Sequence, residues 1–197
     1  MIIFMSDIIC VTNRLLIKDD FLKQIEKICE CKPRAVLLRE KDLAEAEYLE
    51  LAAKVKKICD EKNVPFISHT FLCGEILHLP LQKLTELSEN GEIEKLPKNI
   101  KIGTSVHSVQ DAKKAESLGA NYLIAGHIFE TDCKKGLKGR GLDFLNQVST
   151  SVNIPVYAIG GITPQNYKAV QNAGAKGAAI MSSAMLTDNL QQLFDSF

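Results

Sequence analysis

The sequence has no excess of charge of either sign, because 24 basic residues balance 24 acidic ones among its 197 residues. This balance gives no indication of nucleic acid or an anionic membrane as a partner. No apolar run approaches the length of a membrane span, and the opening segment, MIIFMSDIIC, lacks the basic region and cleavage site of a signal peptide. We therefore expect a cytoplasmic protein with a sizeable core, whose chain begins with a β-strand.

Cysteine pairs of the kind that bind zinc are also missing. The cysteines form no Cys-x-x-Cys motif and have no pair of histidines at zinc-ligand spacing. Without an export signal they are expected to be reduced thiols, most of them in the core. Cys133 has no base assignable to it, and we interpret it as a bystander. The sequence therefore predicts neither a metal site nor a cofactor.

Short β-rich runs alternate with helical patterns along the whole chain. The runs lie at 7–12, 34–39, 65–69, 75–79, 100–105, 121–126, 155–161 and 177–182. Several are almost continuously apolar, which is typical of parallel strands buried on both faces. The alternation predicts an α/β fold, a (β/α)₈ TIM barrel formed by a single domain over residues 1–197. A doubly wound open sheet is the alternative.

Several of the intervening helices have recognisable ends. Asp42 and Glu45 form a capping-box-like pair that predicts the start of one helix. Ser108 can cap another helix, which Gly119 would end in the C′ position. The region 69–99 has no convincing long helix, and its NGEIEKLPKN segment is predicted to be a loop.

Polar residues and glycines follow the predicted strands at their carboxyl ends. In a barrel these ends open on one face, called here the mouth, where barrel enzymes hold their active sites. An open sheet would not predict this distribution. The residues concerned are Arg39, Glu40, Lys41, Ser105, His107, His127, Gly160, Gly161, Ser182 and Ser183.

Two consecutive strands end in a pattern that suits an anion. AIGGITP (158–164) and AIMSSAM (179–185) each place small residues between a strand and a helix start. Glycine lets a ligand approach backbone N–H groups, and a helix N-terminus supplies positive potential. Loops seven and eight of a barrel often bind phosphate, so we predict a phosphate site here. The alternative is that the glycines only turn a tight corner.

The loop GHIFETDCKKGLKGRG (126–141) combines a histidine with cations and glycines. His127 follows a strand directly, and an imidazole can take and give a proton near neutral pH. Thr131 and the glycines are expected to orient a ligand, and Lys134 and Lys135 to hold an anion. A packed histidine without function is the alternative for His127, and His107 is a second candidate for the same chemistry.

Five segments carry a resemblance to a known family. They are LLREKDL (37–43), IGTSVHS (102–108), GHIFETDCKKGLKGRG (126–141), AIGGITPQN (158–166) and AGAKGAAIMSSAM (173–185). On these segments, which span nearly the whole chain, the protein resembles the thiamine phosphate synthase superfamily and, within it, the thiazole tautomerase branch. The resemblance implies a (β/α)₈ barrel that binds a thiazole phosphate.

The resemblance also implies which residues separate the two branches. The synthase joins a pyrimidine pyrophosphate to the thiazole phosphate with Mg²⁺, and its pattern has a glutamine in QLREK, Asn-Asp after strand three and an aspartate after strand four. Here Leu37 stands at the glutamine, SHT (68–70) ends strand three, and ILHLPLQKL (76–84) has no aspartate. The oxygen ligands that Mg²⁺ requires are therefore absent. A synthase-like chain would have proline at the position of His127.

The tautomerase resemblance implies an isomerase in which His127 moves a proton, converting a dihydrothiazole carboxylate phosphate into its aromatic tautomer. It assigns the phosphate to Gly160, Gly161, Ser182 and Ser183. Arg39, Ser105 and Lys134 are candidates for the carboxylate and the ring, whereas Arg39 and Lys41 would hold the pyrophosphate in a synthase.

Two alternative functions stay open. One is a thiamine phosphate synthase with unusual metal ligands, and the other is a non-catalytic thiazole- or thiamine-phosphate-binding protein with a regulatory role. It is also open whether His69 or His78 replaces the missing carboxylates, and whether the protein forms a homo-oligomer.

Overall fold

A computed structural model describes residues 7–131 and 134–197 of the chain. Along these ranges the strands are β1 (Ile8–Val11), β2 (Ala35–Leu38), β3 (Phe66–His69), β4 (Ile76–Pro80), β5 (Lys101–Val106), β6 (Tyr122–Gly126), β7 (Val156–Ile159) and β8 (Gly177–Ile180). The α-helices are α1 (Phe21–Glu30), α2 (Glu45–Glu61), α3 (Leu81–Glu89), α4 (Val109–Ser117), α5 (Gly141–Ser151), α6 (Pro164–Asn172), α7 (Ser182–Leu186) and α8 (Leu190–Asp195). Short 3₁₀ helices lie at Arg14–Leu16 and Ile93–Lys95.

The strands follow one another in the order β1 to β8 and close into a barrel. The pairs β1–β2, β2–β3, β5–β6, β6–β7 and β7–β8 are parallel. This topology confirms the predicted (β/α)₈ TIM barrel and excludes the doubly wound open sheet, which would leave two edge strands unpaired. Within the described ranges, no helix is both long and apolar enough to cross a membrane.

Contacts within the chain group it into two compact units. The first unit runs up to Leu77 and includes Ile180–Phe197, and the second unit is His78–Ala179. The single domain over residues 1–197 stays a prediction.

The first unit buries the cysteines that the sequence assigned to the core. Cys10, Cys29, Cys31 and Cys59 are buried free thiols, and Cys73 is half-buried. The sulfur atoms of Cys29 on α1 and Cys59 on α2 are 3.8 Å apart, so the two helices pack directly against each other here. Burial raises the pKa of the Cys10 thiol well above its ordinary value, which keeps it protonated and unreactive. Cys133 lies outside the described residues.

The predicted helix start at Asp42 is wrong. Helix α2 begins at Glu45, and the side chain of Glu47 accepts a hydrogen bond from the N–H of Ala44 at 3.2 Å. Asp42 instead binds both terminal nitrogens of Arg14, at 2.9 and 2.7 Å, and this pairing lowers the pKa of its carboxyl. A guanidinium fork offers two parallel donors to a carboxylate, an arrangement that competes with the capping role.

The second unit confirms one predicted helix and contains another that the sequence did not predict. The Ser108 hydroxyl accepts from the N–H of Asp111 at 3.0 Å, and Gly119 adopts φ +85° just beyond α4, as expected for a helix end. Helix α3 lies inside the region 69–99, where no long helix was expected. Leu84 is the one buried residue among its nine.

A glycine on β5 makes room for an aromatic ring on β6. A Cβ atom at Gly103 would lie 2.0 Å from Cζ of Tyr122, because the phenol ring crosses directly over the glycine. The ring is 8% exposed and packs edge-on against Tyr157. The position of this ring therefore depends on the absence of a side chain at Gly103.

We predict that Gly103→Ala lowers the free energy of unfolding by about 1–3 kcal/mol, because the methyl group must displace a buried ring. Urea denaturation followed by circular dichroism measures the change. Gly74→Ala is the control, since its Cβ would meet Cδ1 of Phe66 at 3.3 Å and needs only a small adjustment. Equal losses in the two variants would contradict the proposed packing of Tyr122.

At the end of β3, a histidine is buried beside two cations. The Tyr48 hydroxyl donates to the carbonyl of Leu38 at 2.9 Å and accepts from the N–H of His69 at 2.7 Å, which ties β2, β3 and α2 together. His69 is 8% exposed. Burial, and then the charges of Arg39 and Lys41, lowers the pKa of His69 to about 4.

This shift predicts a loss of stability in acid. The unfolded chain binds the proton at the ordinary histidine pKa of 6.5, and the folded chain binds it only near 4. The stabilisation is therefore complete above pH 6.5 and is lost as the pH falls toward 4, by roughly 3 kcal/mol in all. We expect His69→Gln to lose less unfolding free energy than the parent between these pH values. Parallel pH profiles from urea denaturation would refute the burial of a neutral His69.

Candidate functional site

His127 is the first residue after β6, and its ring is held by the loop that follows. The residue is 9% exposed, and its Nε2 atom lies 3.2 Å from the carbonyl oxygen of Leu137. Because a carbonyl can only accept, Nε2 carries the hydrogen of this bond. Nδ1 has no hydrogen-bond partner among residues 7–131 and 134–197. A neutral His127 therefore presents the lone pair of Nδ1 as a base.

Arg140 fastens the far end of the loop to the end of β6. Its backbone N–H donates to the carbonyl of His127 at 2.9 Å, and its Nε donates to the carbonyl of Gly126 at 3.1 Å. Its guanidinium carbon is 5.5 Å from the centre of the Phe144 ring. Sequence reasoning did not single out Arg140, and its position directly before α5 was the one available signal.

His107 contacts the peptide group that joins Gly126 to His127. Its Nδ1 donates to the carbonyl of Gly126 at 2.8 Å, and its backbone N–H donates to Asp111 at 3.0 Å. The side chain is exposed. The structure thus brings both candidate histidines to the Gly126–His127 peptide, although His107 also directly precedes the Ser108 cap, as the sequence indicated.

Gly160 and Gly161, after β7, lie against the segment that follows β6. Gly160 has φ +100° and Gly161 has φ +64°, both in the region that favours glycine. A Cβ atom would lie 2.4 Å from Cβ of His127 at the first position and 2.5 Å from the carbonyl oxygen of Glu130 at the second. This packing agrees with the tight-corner alternative. The phosphate site assigned to these glycines stays a prediction.

Ser182 and Ser183 are the first two residues of α7, and both are half-buried. This helix has five residues, so its dipole is weaker than the sequence-based assignment assumed. Their predicted contact with a phosphate also stays a prediction.

Thr131 and Lys134 belong to a turn within the loop after β6. The N–H of Lys134 donates to the carbonyl of Thr131 at 2.9 Å. Lys134 is exposed, and its ammonium group makes no ion pair within the described part of the chain. The turn therefore leaves this cation available to an anionic ligand.

Ser105 on β5 is hydrogen-bonded to a histidine whose role the sequence left open. Its Oγ atom is 2.9 Å from Nε2 of His78, which is 3% exposed. Nδ1 of His78 is 3.1 Å from the Tyr122 hydroxyl. No local sequence signal connects these residues, since β4, β5 and β6 contribute one each.

In the first unit, Arg39 and Lys41 follow β2 and flank a buried carboxylate. Glu40 is 4% exposed and accepts a 2.6 Å hydrogen bond from the Thr12 hydroxyl. Its carboxylate is therefore engaged inside the protein. Arg39 is half-buried and Lys41 is exposed, and both contribute to lowering the pKa of His69. The structure thus joins these two predicted site residues electrostatically to His69.

Metal-ligating side chains do not cluster in the described ranges. No group of three or more His, Cys, Asp or Glu residues there could hold a metal ion. The end of β3 supplies His69 and Thr70, neither of which is a carboxylate.

Known proteins with similar sequences and folds agree with this architecture. The thiamine-phosphate synthase of Clostridium acetobutylicum is 32% identical over 201 aligned positions, which cover 94% of this chain and 92% of that protein. The thiamine-phosphate synthase of Clostridium tetani is 30% identical over 192 positions, with coverages of 92% and 89%.

Among solved structures, thiamine phosphate pyrophosphorylase from Pyrococcus furiosus is similar, with a TM-score of 0.81 at 26% identity. The similarity covers 98% of this chain and 93% of that protein. The model of the family described as thiamine monophosphate synthase matches residues 8–184. The chain therefore belongs to the thiamine monophosphate synthase family.

Proposed function

We propose that the protein is a thiazole tautomerase of thiamine biosynthesis, which aromatises a carboxythiazole phosphate through His127. The observation that carries the proposal is the arrangement of the two ring nitrogens. Nε2–H is bound to the Leu137 carbonyl at 3.2 Å, and Nδ1 has no partner among the described residues. A histidine fixed in this tautomer is a base at a defined atom.

The proton transfer uses a single residue. Nδ1 of His127 takes the proton from the sp³ carbon of the dihydrothiazole, and the electron pair of the broken C–H bond enters the ring. The imidazolium keeps its Nε2–H on the Leu137 carbonyl, which stabilises the positive charge. Nδ1 then returns a proton to the exocyclic carbon of the double bond. Base and substrate have no net change in charge, and the product gains aromatic stabilisation.

The anionic groups of the substrate need fixed donors near this base. Within the second unit, the N–H of Gly161 donates to no acceptor among the described residues, and the ammonium group of Lys134 makes no ion pair there. We assign Gly161 to the phosphate, with Gly160 giving it space, and Lys134 and Ser105 to the carboxylate and the ring. The roles of Arg39, Lys41, Thr131, Ser182 and Ser183 stay as the sequence predicted them.

We predict that His127→Gln lowers kcat for thiazole aromatisation by about 10²–10⁴-fold, because glutamine cannot take up a proton at neutral pH. Glutamine can still donate an N–H to the Leu137 carbonyl, so the loop and the melting temperature should change little. Stopped-flow absorbance of the aromatic product measures turnover, and calorimetry measures phosphate affinity, which should stay within a few-fold.

The comparison variant for this experiment is His107→Asn. An asparagine amide can keep the hydrogen bond to the Gly126 carbonyl, which His107 makes at 2.8 Å. We expect a smaller loss of kcat than in His127→Gln. If His127→Gln aromatises the thiazole at the parental rate while His107→Asn does not, the base is His107.

A second candidate function is thiamine phosphate synthesis, which the names of the curated relatives favour. A synthase needs Mg²⁺, for which this chain offers no carboxylate in SHT (68–70) or ILHLPLQKL (76–84). We predict that thiazole aromatisation survives excess EDTA and that added Mg²⁺ produces no pyrimidine coupling. Both activities are assayed on one purified sample.

The outcomes of this paired assay separate the candidates. Mg²⁺-dependent coupling without aromatisation would identify a synthase. Tight binding of thiazole phosphate with neither activity would identify a regulatory binding protein. Aromatisation that EDTA abolishes and Mg²⁺ restores would contradict the metal-free mechanism.

A further inference from the structure

Three side chains of the second unit form a buried hydrogen-bonded row, of which the proposed function uses only Ser105. We call Tyr122, His78 and Ser105 the His78 row. Nδ1 of His78 is 3.1 Å from the Tyr122 hydroxyl, and Nε2 is 2.9 Å from Oγ of Ser105. His78 is 3% exposed and Tyr122 is 8% exposed, whereas Ser105 is half-buried at the open end of the row.

For a neutral His78 ring, two patterns of hydrogen atoms fit these distances. In the first, the Tyr122 O–H donates to Nδ1, and Nε2–H donates to Ser105. In the second, the ring is the other tautomer, so Nδ1–H donates to Tyr122 and the Ser105 O–H donates to Nε2. The patterns leave Ser105 with opposite properties, because its hydroxyl hydrogen is free in the first and engaged in the second.

The surroundings of Tyr122 favour the first pattern. Among the described residues, its hydroxyl has no hydrogen-bond partner other than His78. In the second pattern the buried O–H of Tyr122 would have no acceptor, which is unfavourable for a polar group removed from water. In the first pattern the two buried donors, the Tyr122 O–H and Nε2–H of His78, both have acceptors. The free hydrogen is then the one on Ser105, the most exposed member.

The packing around Tyr122 keeps its hydroxyl in place. The ring crosses Gly103, where a Cβ atom would lie 2.0 Å from Cζ, and it meets the edge of Tyr157 at a centroid distance of 6.2 Å. The centroids of the Tyr122 and His78 rings are 5.7 Å apart. The phenol therefore has little freedom to turn away from Nδ1.

We propose that His78 is a positioning residue, which Tyr122 holds in the Nε2–H tautomer so that Ser105 must donate its hydrogen to the substrate. An anionic substrate, such as the carboxylate of a carboxythiazole, needs donors and is repelled by lone pairs. A serine turned into a donor therefore selects for a carboxylate or a ring nitrogen. The identity of this acceptor rests on the proposed function, whereas the tautomer of His78 does not.

The tautomer is tested on the free protein. Nitrogen-15 NMR of the histidine rings at pH 7 should give a protonated Nε2 and an unprotonated Nδ1 for His78. Tyr122→Phe keeps the ring over Gly103 but removes the hydroxyl, so the other tautomer should become populated. A protonated Nδ1 in the parent protein would overturn the proposal.

The consequence for the substrate is tested by a double-mutant cycle. Ser105→Ala should lower kcat/KM for aromatisation roughly 10- to 100-fold, as expected for a hydrogen bond to a charged group. Tyr122→Phe alone should lower it several-fold, but should have almost no further effect in the Ser105→Ala background. A merely structural role of Tyr122 would lower kcat/KM equally in both backgrounds, and that result would overturn the proposal.

Tyr157→Phe is the matched control, because it removes a phenolic hydroxyl from the neighbouring ring but not from the row. We expect kcat/KM to stay near the parental value in both backgrounds. The same cycle is measured by calorimetry with the aromatic carboxythiazole phosphate. If the parent protein binds this aromatic ligand but does not aromatise the dihydrothiazole, the proposed function fails. The double-mutant cycle in Kd then still decides the role of His78. If the parent does not bind it, Ser105 is not a donor to this substrate class and this part of the proposal fails as well.

Discussion

The segment just after β6 lies so close to its neighbours that no side chain fits between them. Four glycines surround it, at 126, 139, 160 and 161. A Cβ atom added at any of them would lie 2.4–2.5 Å from the nearest atom of the segment or of β7. Real Cβ atoms do not approach other atoms this closely, so each position is restricted to glycine unless the backbone moves. The location of His127 therefore depends on the absence of four side chains.

This close packing also determines how the polar backbone groups are paired. The carbonyl of Gly126 accepts from both His107 and Arg140, and the carbonyl of His127 accepts from the Arg140 N–H. These bonds hold the loop against the end of β6, and the carbonyl of Leu137 within the loop accepts from Nε2 of His127. If His127 is the base, as we propose, its ring needs little reorganisation during a proton transfer, which is the advantage of a preorganised site. The sharp turn and the proposed chemistry thus have one structural origin, and the glycines need not contact a ligand to be required.

Features that depend on neighbouring residues could be predicted from the sequence, and features that depend on distant ones could not. The strands were predictable because short apolar runs between turn signals have few other interpretations. The cap at Ser108 was predictable because the N–H that it accepts from, that of Asp111, is only three residues away. The cap predicted at Asp42 was wrong because its actual partner, Arg14, is 28 residues away, and local sequence patterns do not indicate a contact at that separation. The His78 row joins residues 27 and 44 positions apart, and its hydrogen bonds depend on strand register and on side-chain rotamers. Periodicity indicates which face of a strand is buried, but not which polar atoms meet there.

The histidines at strand ends also differ in ways that the sequence does not reveal, and the difference bears on the choice of base. His69 is buried next to Arg39 and Lys41, and its pKa of about 4 makes protonation at neutral pH unfavourable by roughly 4 kcal/mol. It is therefore a poor general base, and as a neutral ring it is also a poor substitute for the negative charge of a Mg²⁺-binding carboxylate. The charges of Arg39 and Lys41 beside the neutral ring of His69 instead favour the binding of an anion. The ring of His127, in contrast, keeps its Nε2–H on the carbonyl of Leu137, so the proposed mechanism uses Nδ1. His69 is thus unsuited to accept a proton at neutral pH, and His127 is the histidine that we propose as the base.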